Sequence, residues 1–153
     1  MEKVLFGAGC FWGVEEKFRK LPGIIRTEVG YSGGITNNPS YEDVCKGNTN
    51  HAEVVFIEYN KDEISFEELL VYFWSCHNPT TLNRQGPDIG TQYRSVIFYF
   101  NNNQKKIAEK SKQDYSKSNN LNIVTEISEA KEYYKAEEYH QKYIQKTGLH
   151  CAI

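Results

Sequence analysis

Hydrophobic and polar positions alternate along this chain with two periods, and the switches between them mark its elements. Residues 3–6, Lys3-Val4-Leu5-Phe6, form a short apolar run that ends in Gly7-Ala8-Gly9, as a strand does on entering a turn. Phe11, Val14, Phe18 and Leu21 recur at helical spacing, predicting a helix over 11–20 that Leu21-Pro22-Gly23 stops. Residues 24–30 alternate as a strand does, and Ala52–Tyr59 is apolar almost throughout, which predicts a central strand. Ser65 followed by Glu68 is a capping box. It opens a helix whose stripe is Phe66, Leu69, Leu70 and Phe73. Residues 93–100 read as a strand, 104–119 as a polar helix and 123–127 as another strand. A last helix is predicted over 137–147, closed by Gly148.

The order is β-α-β-β-α-β-α-β-α, and its first six elements match the split β-α-β plan of ferredoxin-like folds. We therefore expect an α/β (α+β) fold: a two-layer sandwich with a mixed sheet, a βαββαβ core, and a C-terminal helix and tail. No repeat, linker or low-complexity segment interrupts the 153 residues, so residues 1–153 are read as one catalytic domain. Two stretches, 30–51 and 77–92, lack periodicity. Long loops of that kind often carry function.

Charge and composition narrow the classes. A net charge of -2 excludes the basic footprint of a nucleic-acid binder. No apolar run approaches the ~20 residues that span a bilayer, and the start is too weakly apolar for a signal peptide. A cytoplasmic monomer without membrane or nucleic-acid partners is expected. The four cysteines, Cys10, Cys45, Cys76 and Cys151, match no zinc spacing and include no Cys-x-x-Cys pair. His51, His77, His140 and His150 give no i, i+4 pair, so no metal and no cofactor are expected.

Cys10 follows a strand and a Gly-rich turn and precedes a helix, where unsatisfied N–H groups and the helix dipole favour the thiolate. A buried, inert cysteine is the equal alternative on placement alone. Trp12 lies off the helix's apolar stripe, where it serves either as a rim side chain or as an aromatic wall beside the thiolate. Sulfur and methyl groups pack well on such a ring. Reducing a sulfoxide also requires a proton for its oxygen, hence a neutral acid and orienting hydroxyls. The first loop offers Tyr31, Tyr41, Glu42 and Asp43, the second Asp88 and Tyr93. A Glu among aromatics has its pKa raised by desolvation. Composition does not choose among these residues.

Gly9-Cys10-Phe11-Trp12-Gly13 with Val14-Glu15 resembles the signature of the A-type peptide methionine sulfoxide reductases. The resemblance continues through Gly30-Tyr31-Ser32-Gly33-Gly34, Tyr41-Glu42-Asp43-Val44-Cys45, His51-Ala52-Glu53-Val54, Gly90-Thr91-Gln92-Tyr93-Arg94-Ser95 and Ala136-Glu137-Glu138-Tyr139-His140-Gln141. It implies that Cys10 attacks the sulfoxide sulfur, that Phe11 and Trp12 wall the S-methyl group, and that Glu42 donates the proton. Tyr31 and Tyr93 would hydrogen-bond the oxygen, with Asp88 supporting the site. It further implies action on the S epimer, free or protein-bound, release of methionine, and a sulfenic acid on Cys10. Cys151 would resolve that acid as a disulfide, and thioredoxin would reduce it, in the repair of oxidised proteins. The one-enzyme-per-epimer rule agrees.

The chain departs from the family's pattern at Asn50, where Gly is usual, and at Asn78, where Asp is usual. Its only cysteine in the tail is Cys151, where many bacterial members have two, so a direct Cys10–Cys151 disulfide or an external thiol is expected. Cys76 reads as core. Cys45 neighbours Glu42, which leaves a redox role open. Two other readings compete: a thiol peroxidase, which needs no Trp12 wall, and a redox-sensing module that binds a Met-containing segment without turnover.

Overall fold

The structure, a computed structural model, describes residues 1–148. In chain order the elements are β1 (Glu2–Ala8), α1 (Phe11–Arg19), β2 (Ile24–Ser32), α2 (Tyr41–Cys45), β3 (Ala52–Tyr59), α3 (Phe66–Ser75), a small hairpin of β4 (Arg84–Gln85) and β5 (Asp88–Ile89), β6 (Ser95–Tyr99), α4 (Asn102–Asn119), β7 (Glu126–Glu129), β8 (Tyr133–Lys135) and α5 (Tyr143–Thr147). The main sheet has the order β7-β6-β1-β3-β2-β8. Its inner four strands, β6-β1-β3-β2, are mutually antiparallel as the split β-α-β plan requires, and β7 joins parallel to β6, which makes the sheet mixed.

Alternation along the strands sorts the core onto two faces. Val4, Phe6, Val55, Ile57 and Ile97 face the helices and pack with Phe18, Leu69, Leu70 and Phe73. Leu5, Val54, Phe56, Val96 and Phe98 face the other way, under Ala130 and Tyr133. The predicted Ser65–Glu68 capping box is present, and Ser40 with Asp43 forms a second one that opens α2.

Three expectations are corrected. The strand expected over 93–100 starts at Ser95, because Thr91–Tyr93 is a 3-10 turn. The strand expected over 123–127 is β7, which starts at Glu126. The helix expected over 137–147 is broken into a 3-10 turn, Glu138–His140, and α5. The break is at Gln141, which is extended, and Lys142, which is left-handed at φ +54°. Both residues are turned onto β2. The Gln141 amide accepts from Val29 N at 2.8 Å and donates to Val29 O at 2.9 Å, and Lys142 Nζ donates to Thr27 O at 2.6 Å. Beyond the three residues that β8 pairs, Ala136 N–H donates to Val29 O at 3.0 Å, and these side chains take the place of a further edge strand.

His77 ties the end of α3 to the sheet. Its Nδ1 bonds Phe73 O and its Nε2 bonds Ser95 Oγ, both at 2.7 Å, and Ser95 Oγ bonds Thr125 Oγ1 at 2.7 Å. Burial pushes its pKa down to about 4. The unfolded chain therefore takes up a proton between pH 6.5 and about 4 that the folded chain refuses. We expect stability, undiminished above pH 6.5, to fall through this window by about 3 kcal/mol. Thermal melts should show this loss, and His77→Gln should remove most of it, leaving the smaller part that His140, also lowered by burial, contributes. A flat wild-type profile would contradict the assignment.

Candidate active site

The strand-to-helix turn after β1 is built by two glycines with different tasks. Gly9 takes φ +98°, which favours glycine. Gly7 lies in the strand, where a Cβ would fall 2.6 Å from Val96 Cγ1, so its task is close packing on β6. Cys10 follows as the N-cap of α1, half-buried, with its carbonyl accepting Val14 N–H at 3.4 Å.

Beside it, Phe11 N–H donates to Glu53 Oε1 at 3.2 Å. Glu53 stands on β3 at the helix-facing parity of Val55 and Ile57, opposite Tyr31 on β2, and is 1% exposed. The expected acid, Glu42, is solvent-exposed on α2 and lacks the apolar surroundings expected of it. Glu53 holds the position that argument required.

The phenols surround this carboxylate. Tyr41 is the first residue of α2; burial, a hydrogen bond to Cys45 and the nearby Glu53 push its pKa well above the usual range. Tyr93 sits in the 3-10 turn that leads into β6; since Ala8 pairs with Ser95, the turn lies beside the end of β1. Burial, then Glu53, Cys45, Asp88 and Cys10, raise its pKa in turn. Asp88, on β5, is thus placed toward Tyr93. Both phenols remain proton donors at any working pH. Tyr31 is fully buried and is turned elsewhere: its hydroxyl donates to Glu137 Oε1 at 2.9 Å, while Glu137 Oε2 accepts Tyr41 N–H at 2.9 Å. Hydrogen bonds to Tyr41 N–H and Tyr31 outweigh burial and lower the Glu137 pKa.

Phe11 is buried in the core with its ring 5.7 Å from Tyr31. Trp12, off the core stripe as expected, stacks on Tyr143 at 3.9 Å and 15°. Its Nε1–H donates to His140 Nδ1 at 2.9 Å. His140 is buried against Tyr41, 4.4 Å between rings, and burial lowers its pKa, which keeps the accepting nitrogen free of a proton. Cys45 is exposed at the end of α2, while burial pushes the Cys76 thiol up to about 12. Cys151 lies outside the described residues. Among the described residues no three His, Cys, Asp or Glu side chains gather as a metal site requires.

Cys10, Phe11, Trp12, Tyr93 and Asp88 are therefore brought to one place, whereas Glu42 is not, and the Tyr31 hydroxyl stands at its edge, engaged by Glu137. Glu53, Tyr41, Glu137, His140 and Tyr143 complete it. The available signal for Glu53 was a carboxylate at the parity of Val55, Ile57 and Tyr59, whereas the strand's other carboxylate, Glu58, has the opposite parity.

A thiol at a helix start, a buried carboxylate on the same N-terminus and phenols held neutral define a cysteine-dependent oxidoreductase. The family model of peptide methionine sulfoxide reductase matches residues 2–152. Peptide methionine sulfoxide reductase A1 of Arabidopsis thaliana is 54% identical over 143 residues, 94% of this chain and 71% of that one. The reduced form of Mxr1 from Saccharomyces cerevisiae superposes with a TM-score of 0.94 at 38% identity, covering 99% of this chain and 88% of Mxr1. Mxr1 in complex with Trx2 gives 0.66 at 26% identity, covering 93% and 84%. The chain spans from about half to about seven tenths of the length of the plant relatives it matches. It belongs to the A-type peptide methionine sulfoxide reductase family.

Proposed function

We propose that this protein reduces methionine sulfoxide, with Cys10 as nucleophile and Glu53 as proton donor. The observation that carries the assignment is the Glu53 carboxylate on Phe11 N–H, one residue from the thiol, at 1% exposure. At 1% exposure desolvation favours the neutral form of Glu53, the form able to donate a proton, while the start of α1 favours the Cys10 thiolate. The thiolate attacks the sulfoxide sulfur, and Glu53 protonates the oxygen. The S–O bond and the new S–S bond then break as the hydroxyl passes to the Cys10 sulfur, leaving a sulfenic acid and free thioether. Tyr41 and Tyr93 donate to the oxygen as charge develops, and Trp12 and Phe11 receive the methyl group.

In our reading Cys151 then displaces water from the sulfenic acid, and thioredoxin reduces the resulting disulfide. The Mxr1–Trx2 complex supports that choice of reductant. The working unit we propose is a cytoplasmic monomer acting on the S epimer, free or protein-bound, in protein repair. The test supplies each epimer with dithiothreitol and measures methionine. We expect it from the S epimer alone; none from either would overturn the reading, and rapid peroxide turnover would favour the peroxidase.

The two tyrosines adjoining Glu137 should separate. Tyr41→Phe removes a donor to the oxygen and is expected to lower kcat/KM by about 10–100-fold. Tyr31→Phe removes only a bond to Glu137. It should cost about 1 kcal/mol in urea unfolding and less than about threefold in kcat/KM. Steady-state kinetics on both variants decide it, and equal losses would return Tyr31 to the oxygen.

A further inference from the structure

Glu15 is a buried carboxylate that the reaction above does not use. It lies on α1 and is 1% exposed. Its Oε1 accepts the backbone N–H of Lys142 at 2.7 Å. Its Oε2 accepts Lys142 Nζ at 2.8 Å and Thr27 Oγ1 at 2.9 Å. One side chain thus grips both the backbone and the ammonium of Lys142, a residue held at φ +54° without being glycine. Such a conformation persists only where its surroundings enforce it.

What that turn achieves can be read from its neighbours. His140, two residues before it, accepts the Trp12 indole N–H, and Tyr143, directly after it, stacks on the Trp12 ring. A continuous helix through 140–143 would carry these two side chains along one face at a fixed spacing. The extended residue Gln141 and the left-handed residue Lys142 bring both onto a single indole, one at its edge and one on its face.

We propose that Glu15 is a positioning residue for substrate binding: by fixing Lys142 in its left-handed turn it keeps Tyr143 on Trp12, and so holds the aromatic wall that receives the sulfoxide's methyl group. The proposal rests on the reading of that wall given above.

The sequence has two tryptophans, so Trp74→Phe leaves Trp12 as the only tryptophan, whose emission is read with excitation beyond the tyrosine band. In that background, with free methionine S-sulfoxide as substrate, Glu15→Gln should shift Trp12 emission in the substrate-free protein. It should raise KM about fivefold and leave kcat within about twofold. Glycine adopts a positive φ without enforcement, so adding Lys142→Gly should bring both emission and KM back to within about twofold of the parent. A folded Glu15→Gln protein with unchanged emission and KM would overturn the proposal. So would a fall in kcat alone, or a defect that glycine does not relieve, since either would leave Glu15 a general stabiliser. Should Glu15→Gln fail to fold, Lys142→Met removes the ammonium alone. A shifted emission with KM raised at least about twofold then supports the clasp, and no change rejects it. Parental turnover tests the function, while substrate-free emission tests the clasp, so the two failures are distinct.

Discussion

Cys10→Ser should reduce methionine sulfoxide turnover to the uncatalysed background, with dithiothreitol and with thioredoxin alike. Serine keeps the N-cap position, and the chain continues into α1 through the same Cys10 O to Val14 N bond. Serine is a preferred N-cap residue where Cys10 makes no side-chain cap bond, so helix and fold should persist, as circular dichroism and thermal melting can verify. The chemistry is lost because the reaction moves an oxygen onto a two-electron reductant. A thiolate sulfur can accept it and become a sulfenic acid; an alcohol oxygen cannot. Methionine release measured in a single turnover removes recycling from the comparison, and any retained turnover in the variant would place the nucleophile elsewhere.

The second large effect is expected at Glu53. Glu53→Gln keeps an oxygen to accept Phe11 N–H, so stability should change by no more than about 1 kcal/mol. The amide has no acidic proton to give, and kcat should fall by about 10²–10⁴-fold, the usual range for a lost general acid. Glu42→Gln is the control. That side chain is exposed on α2, and kcat should stay within about twofold. The reverse outcome, a silent Glu53 variant and a crippled Glu42 variant, would restore the expectation drawn from the loops.

The contrast shows what the linear pattern carries. Short-range periods identified the helix behind Cys10, the central strand Ala52–Tyr59 and the capped helix of Phe66, because each is decided by residues within one or two turns of one another. Trp12 was legible for the same reason, as an aromatic off its helix's apolar stripe. Glu53 was not. Within its own strand it looks like an interruption of a core, and only the pairing of β3 with β1 and β2 carries it to the start of α1. Tyr31 was misread for a related cause: its motif places it near the site, but the hydroxyl's partner, Glu137, is 106 residues away. The break after His140 depends on Glu15, Thr27 and Val29, remote in sequence, and local helical spacing could not reveal it.

The Gln141 amide and the Lys142 ammonium occupy the margin of β2. An uncovered strand there would offer Val29 and Thr27 to any second molecule able to pair with them, the usual route to edge-to-edge aggregation. The segment that brings His140 and Tyr143 to the indole is therefore also a guard against self-association. Substitutions that loosen it are expected to expose the margin of β2 as well as to disturb Trp12.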